Sequence, residues 1–113
     1  MIYISQINND PKQSLSLVID GYARANMILE FKPNQYAWFY TLSWNGFETK
    51  QELMSNAPNL LRQYKKNLPF GLLLDTTGGA DPMSQDAFIT TSSLYLLSAA
   101  EVIEVEQALY GVS

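Results

Sequence analysis

With 113 residues and 47% hydrophobic side chains, the chain is the size of one ordinary domain, able to bury a core without a disulfide or metal to hold it. It contains neither cysteine nor histidine, which excludes disulfides, thiolate chemistry, Cys- and His-ligated metals, imidazole proton shuttles and His-dependent triads. The net charge of −4 argues against a nucleic-acid partner, whose phosphates call for clustered Lys and Arg.

The segment from Met1 to Ser5 has no basic or long apolar stretch of the kind a secretory signal needs. No apolar run approaches the ~20 residues that cross a bilayer. The expectation is a chain made in the cytoplasm and kept out of membranes.

Three stretches then alternate with the period of half-buried strands. Leu15, Leu17 and Ile19 share one face of the first, and Asp20-Gly21 suits a tight turn after it. Met27, Leu29 and Phe31 share a face of the second, which Lys32-Pro33-Asn34-Gln35 breaks because Pro cannot donate to a ladder. Tyr36, Trp38, Tyr40, Leu42 and Trp44 alternate along the third, the strongest pattern in the chain. Asn45-Gly46 is a hairpin signal, and Phe47 to Leu53 returns as a fourth strand. Residues 15–53 thus read as a four-stranded antiparallel meander.

Asn56, Pro58, Asn59 and Pro69 punctuate the next stretch, where Leu60 to Lys66 forms either one helical turn or a loop with two buried leucines. Phe70 to Asp75 is a short, nearly continuous apolar run, the pattern of a strand covered on both faces. Thr77 to Pro82 reads as a loop, and Phe88 to Leu97 as one more extended segment. In the tail, Ser98-Ala99-Ala100-Glu101 matches a capping box and Gly111 suits the residue past a helix end. Val102, Ile103 and Val105 pull towards a strand, so helix is the leading reading of 99–110 and strand its rival. The expected fold is mainly β: a small antiparallel β-barrel or sandwich of six to seven strands, one domain over residues 1–113, with a short C-terminal helix. Closure into a barrel would remove open sheet edges.

Candidate chemistry is sparse. Leu73-Leu74-Asp75-Thr76-Thr77-Gly78 approaches the Asp-Thr-Gly of dimeric aspartic proteases, but a second threonine separates Asp-Thr from Gly. The blander reading is a strand end whose Asp and Thr satisfy turn amides. Asp75, Asp81 and Asp86 lack the spacing of a calcium loop, and the Gly-rich stretch lacks the Lys of a phosphate cradle. The expectation is no enzyme, no catalytic residues, no metal and no cofactor.

Charge is placed unevenly. All seven basic residues lie between Lys12 and Lys66, whereas the chain beyond Lys66 has six acids (Asp75, Asp81, Asp86, Glu101, Glu104, Glu106) and no base. Either this polarises the surface for docking in one orientation, or the two stretches interleave in a sheet and the field averages out. Arg62, Lys65 and Lys66 form the only basic cluster, beside Tyr64. With Tyr110 they are the candidate partner-interface residues, read as a docking patch against an otherwise ordinary solvated surface. The aromatic strand 36–44 is read first as core, and in the alternative as a free-standing binding surface for sugar or peptide.

The order of landmarks also resembles a known family. An aromatic strand runs into Trp44-Asn45-Gly46. Asn59-Leu60-Leu61, Tyr64 and Phe70-Gly71 follow, then a strand ending in Asp75-Thr76, a loop with Asp81-Pro82, and Leu94-Tyr95-Leu96-Leu97. Over roughly residues 14–103 this is similar to the small baseplate plug proteins of contractile-tailed bacteriophages. The resemblance implies a structural virion protein of the tail baseplate, fastening the central hub and spike to the surrounding baseplate or tube. It implies hub, spike, tube and wedge proteins as partners and several copies per particle. It implies no nucleic acid, membrane, substrate or cofactor.

Overall fold

The computed structural model describes residues 1–19, 24–55, 59–64, 68–77 and 82–110, with residues 109 and 110 described for their backbone only. Among the described residues eight strands form two antiparallel sheets. β1 (Ile2–Tyr3), β8 (Ser92–Ser98) and β7 (Phe70–Thr76) make the first, in the order β1-β8-β7. The second runs β2 (Lys12–Leu17), β3 (Ala25–Lys32), β4 (Ala37–Trp44), β5 (Phe47–Glu48), with β6 (Glu52–Leu53) also on β4. Two helices complete the chain, α1 (Ala87–Thr90) and α2 (Ala99–Tyr110). The sheets share one core but do not close on each other, so the architecture is two sheets and not a closed barrel.

The meander follows its alternation. Leu15, Leu17, Ala25, Met27, Leu29, Phe31, Trp38, Tyr40 and Leu42 are buried, while their neighbours along the strands face out or sit half-covered. Asn45 and Gly46 both take positive φ, 48° and 83°, the two-residue turn whose twist matches the strands it joins. The expected fourth strand is split. Trp44 pairs with Phe47 and Ser43 with Glu48, but Tyr40 pairs with Glu52, so the register slips by one residue in between. Thr49 holds the slip: its amide donates to Leu42 O at 2.9 Å, and its hydroxyl accepts the Leu42 amide at 3.0 Å. This is a β-bulge, and it lets one short return segment serve β4 twice.

Tyr36 departs from the expected pattern. It precedes β4, is 70% exposed, and has φ 49° at the end of a 3-10 turn over Pro33–Gln35. The reversal from β3 to β4 has to be made in four residues, and Tyr36 takes the left-handed position that completes it.

The second half has two further differences. Phe88 to Thr90 is the helical turn α1, not strand, and the extended segment begins at Ser92. Packing decides this: one helical turn sends Ala87 and Phe88 inward, and the Phe88 ring stands edge-on to Trp38 at 5.4 Å. Ile2–Tyr3 is a strand that no pattern announced; it is only two residues long and exists by pairing with Leu96 and Tyr95. β7 is covered on both faces only at Phe70-Gly71-Leu72, beneath α2; beyond it Asp75 faces out. The tail is helical, and the capping box forms in full. Ser98 N donates to Glu101 Oε1 at 3.0 Å and Glu101 N donates to Ser98 Oγ at 3.2 Å. The turns expected at Asp20-Gly21 and Gly78-Gly79, and Gly111, lie outside the described residues.

Candidate functional site

The aromatic strand belongs to the core. Trp38 is fully buried, its Nε1 donating to Ser84 O at 2.8 Å, and the Tyr40 hydroxyl donates to Leu60 O at 3.2 Å. Burial, then the nearby Glu52 and Tyr64 charges, pushes the Tyr40 phenol far above its ordinary range. Trp44 is half-buried, its ring edge-on to Phe70 at 6.2 Å. Trp38 and Trp44 therefore do not form an open stacking platform for a sugar.

Of the candidate interface residues, Arg62 and Tyr64 lie in a 3-10 turn over Arg62–Tyr64, preceded by the buried Leu60 and Leu61. Both readings offered for this stretch are thus combined in it. Arg62 Nε donates to the Glu106 carboxylate at 3.1 and 3.2 Å; the arginine side chain is 45% exposed and the glutamate 5%. Tyr64 donates from its hydroxyl to Glu52 Oε1 at 2.6 Å, with its ring edge-on to Phe47 at 5.5 Å. That hydrogen bond, more than partial burial, raises the Tyr64 pKa. The polar ends of both residues thus join elements of this chain, the first to α2 and the second to β6. Lys65 and Lys66 lie outside the described residues, and Tyr110 ends α2 with its side chain likewise outside them.

Asp75 is exposed on β7 opposite Ser93, while Thr76 Oγ1 and Ser92 Oγ share a buried hydrogen bond of 2.9 Å. The pair lies at the end of the β7–β8 ladder, and the Thr76 hydroxyl meets a side chain of β8 where a turn amide was expected. Among the described residues no three acids gather as a metal cluster would require, and no helix is long and apolar enough to cross a membrane.

What does converge is structural. Asn59, 5% exposed, sits beside Gly71, and its Oδ1 accepts the amides of Leu61 at 3.0 Å and Leu72 at 3.2 Å. Leu60 N donates to Leu72 O at 2.7 Å, so the segment entering the 3-10 turn is tied directly to β7. The sequence offered Asn59 as punctuation and as part of the Asn59-Leu60-Leu61 landmark, without this role; a polar residue next to two buried leucines was the available hint of an anchor.

Charge is not divided cleanly between the sheets. The strands of the sheet built from 12–53 hold Lys12 and Lys32 with Glu30, Glu48 and Glu52, whereas β7 and α2 carry acids and no base. The stretch from Lys12 to Lys66 and the acidic stretch after it do not share a sheet among the described residues, yet the first is of mixed charge.

A second feature was not foreseen. Two hollows of about 350 and 380 Å3 adjoin one another between β1 and the chain leaving β2, sharing Ile2, Val18 and Leu96 in their walls. Met1, Ile2, Tyr3 and Val18 are each between half and two-thirds exposed along this groove. Its one charged residue, Glu101, is paired with the Met1 amine.

Compared with protein-family models and with curated proteins, the chain matches none.

Proposed function

We propose that this chain is a structural part of a contractile phage tail, a plug that fastens the central hub and spike to the surrounding baseplate or tube by protein contacts, without catalysis. The observation that carries this reading is where the landmarks of the resemblance sit. Trp44 meets Phe70, Asn59 clasps Gly71 and Leu72, and Leu72 and Leu74 pair with Leu96 and Leu94. These residues frame the packing between the sheets and α2, and Phe70 and Leu96 also wall the apolar groove. Landmarks of this kind preserve a shape, and a fixed shape is what an assembly component offers its neighbours.

The deciding experiment is an electron cryomicroscopy reconstruction of the assembled tail. Copies of this chain at the junction of hub and baseplate are the expected result; particles that lack it, or purified protein that turns over a substrate, would end the proposal.

A further inference from the structure

The groove beside β1 is bounded by unfinished ladders. Ile4 N donates to Leu94 O at 2.9 Å, and the β1–β8 register makes Ile4 and Leu94 a hydrogen-bonded pair. In an antiparallel ladder such pairs alternate with pairs that exchange no bonds. Tyr3, opposite Tyr95, therefore directs its amide and carbonyl away from β8, to the outer edge of the sheet. The same argument applies to β2. Phe31 N donates to Pro11 O at 2.7 Å, which turns the backbone groups of Lys12, Ser14 and Ser16 outward from β3. β1 and β2 each end their sheet among the described residues.

We infer that this groove receives an extended, uncharged segment of a partner protein, which adds as a strand to the edge of β1 and places alternate apolar side chains between Ile2, Val18 and Leu96. Four features single out this occupant. The open ladder calls for an extended backbone, because only that conformation meets Tyr3's groups in register. Hollows of about 350 and 380 Å3 admit a few side chains, the scale of a segment and not of a domain face. A pair of identical copies needs roughly 800 Å2 from each, which a two-residue edge strand does not supply. Among the described residues the walls carry one charged side chain, Glu101, and it is paired with the Met1 amine, so charge selects for an uncharged segment. The inference holds for any source of that segment and stands apart from the tail assignment.

The test begins with a random twelve-residue peptide library selected on the full chain. Recovered sequences are expected to alternate apolar residues. Their affinity is expected to fall at least tenfold for Ile2→Lys and Val18→Lys, and to stay unchanged for Ile28→Lys on the outer face of β3. Ile2 and Val18 are 61% and 60% exposed, so these variants should keep the wild-type urea midpoint. Amide exchange at Tyr3 should slow when peptide is added. The inference is overturned by a selection that yields no binder or by peptides indifferent to both groove substitutions. It also fails if the wild-type chain sediments as a dimer that already protects the Tyr3 amide, since a second copy then covers the edge.

Discussion

Gly71 lies where β7 passes beneath α2, and a methyl there would stand 2.8 Å from both Asn59 Oδ1 and Val102 Cγ2. Neither neighbour yields easily. Asn59 is held by two backbone amides, and Val102 is a stiff β-branched side chain on a helix. Gly71→Ala should therefore cost about 1–3 kcal/mol by urea denaturation, the usual range for overpacking. Tyr36 gives the opposite case. Its left-handed backbone costs a non-glycine residue about 1–2 kcal/mol, and asparagine tolerates it better, so Tyr36→Asn should raise the urea midpoint. Periodicity marked neither residue as special, although Phe70-Gly71 is among the landmarks of the resemblance. Gly71 read as part of an apolar run and Tyr36 as the first of five alternating large side chains, because close approach and φ are set by neighbours distant in the chain. The phenols make a pH prediction. Tyr40 and Tyr64 both have folded pKa values raised above the ordinary 10, so their contribution is complete below about pH 10 and is lost as pH rises through the folded values. Stability should fall in alkaline solution, and Tyr64→Phe should make that fall shallower.

α2 begins at the residue after β8 ends, with no linker between them, so its start depends on its cap. Ser98→Ala should lower stability by about 1 kcal/mol and fray the first turn, read as faster amide exchange at residues 101–103. The Met1 amine, then the Ser98 amide, holds the Glu101 carboxyl below its usual range. A lowered carboxyl contributes above its unfolded pKa and loses that contribution as pH falls through the folded value, so α2 should loosen first in acid. This cap was readable in the sequence because a capping box is local: both hydrogen bonds span three residues. The meander was readable for a related reason, since each hairpin pairs neighbours whose alternation is written along the strand. β1 and α1 were not. Two residues carry no period, and the helical turn at Phe88 is chosen by the distant Trp38. The candidate interface was legible as a cluster of residue types, but the sequence could not show that Arg62 is engaged by Glu106, 44 positions away.

Arg62–Glu106 ties the 3-10 turn over Arg62–Tyr64 to α2 and is the most buried ion pair among those described. Glu106 is nearly covered but Arg62 is almost half-exposed, so solvent screens part of the attraction. Arg62→Ala should cost about 1–2 kcal/mol and speed exchange along the second half of α2, leaving the meander's exchange unchanged. The sheets also differ in how they are drawn from the chain. The larger is contiguous, residues 12–53, whereas the smaller joins Ile2 to Leu96. During synthesis the meander can complete itself as it leaves the ribosome, but β1 must wait for β8, about ninety residues later in the chain, keeping its apolar side chains uncovered until then. For that interval β1 is open to a chaperone, or to the wrong neighbour.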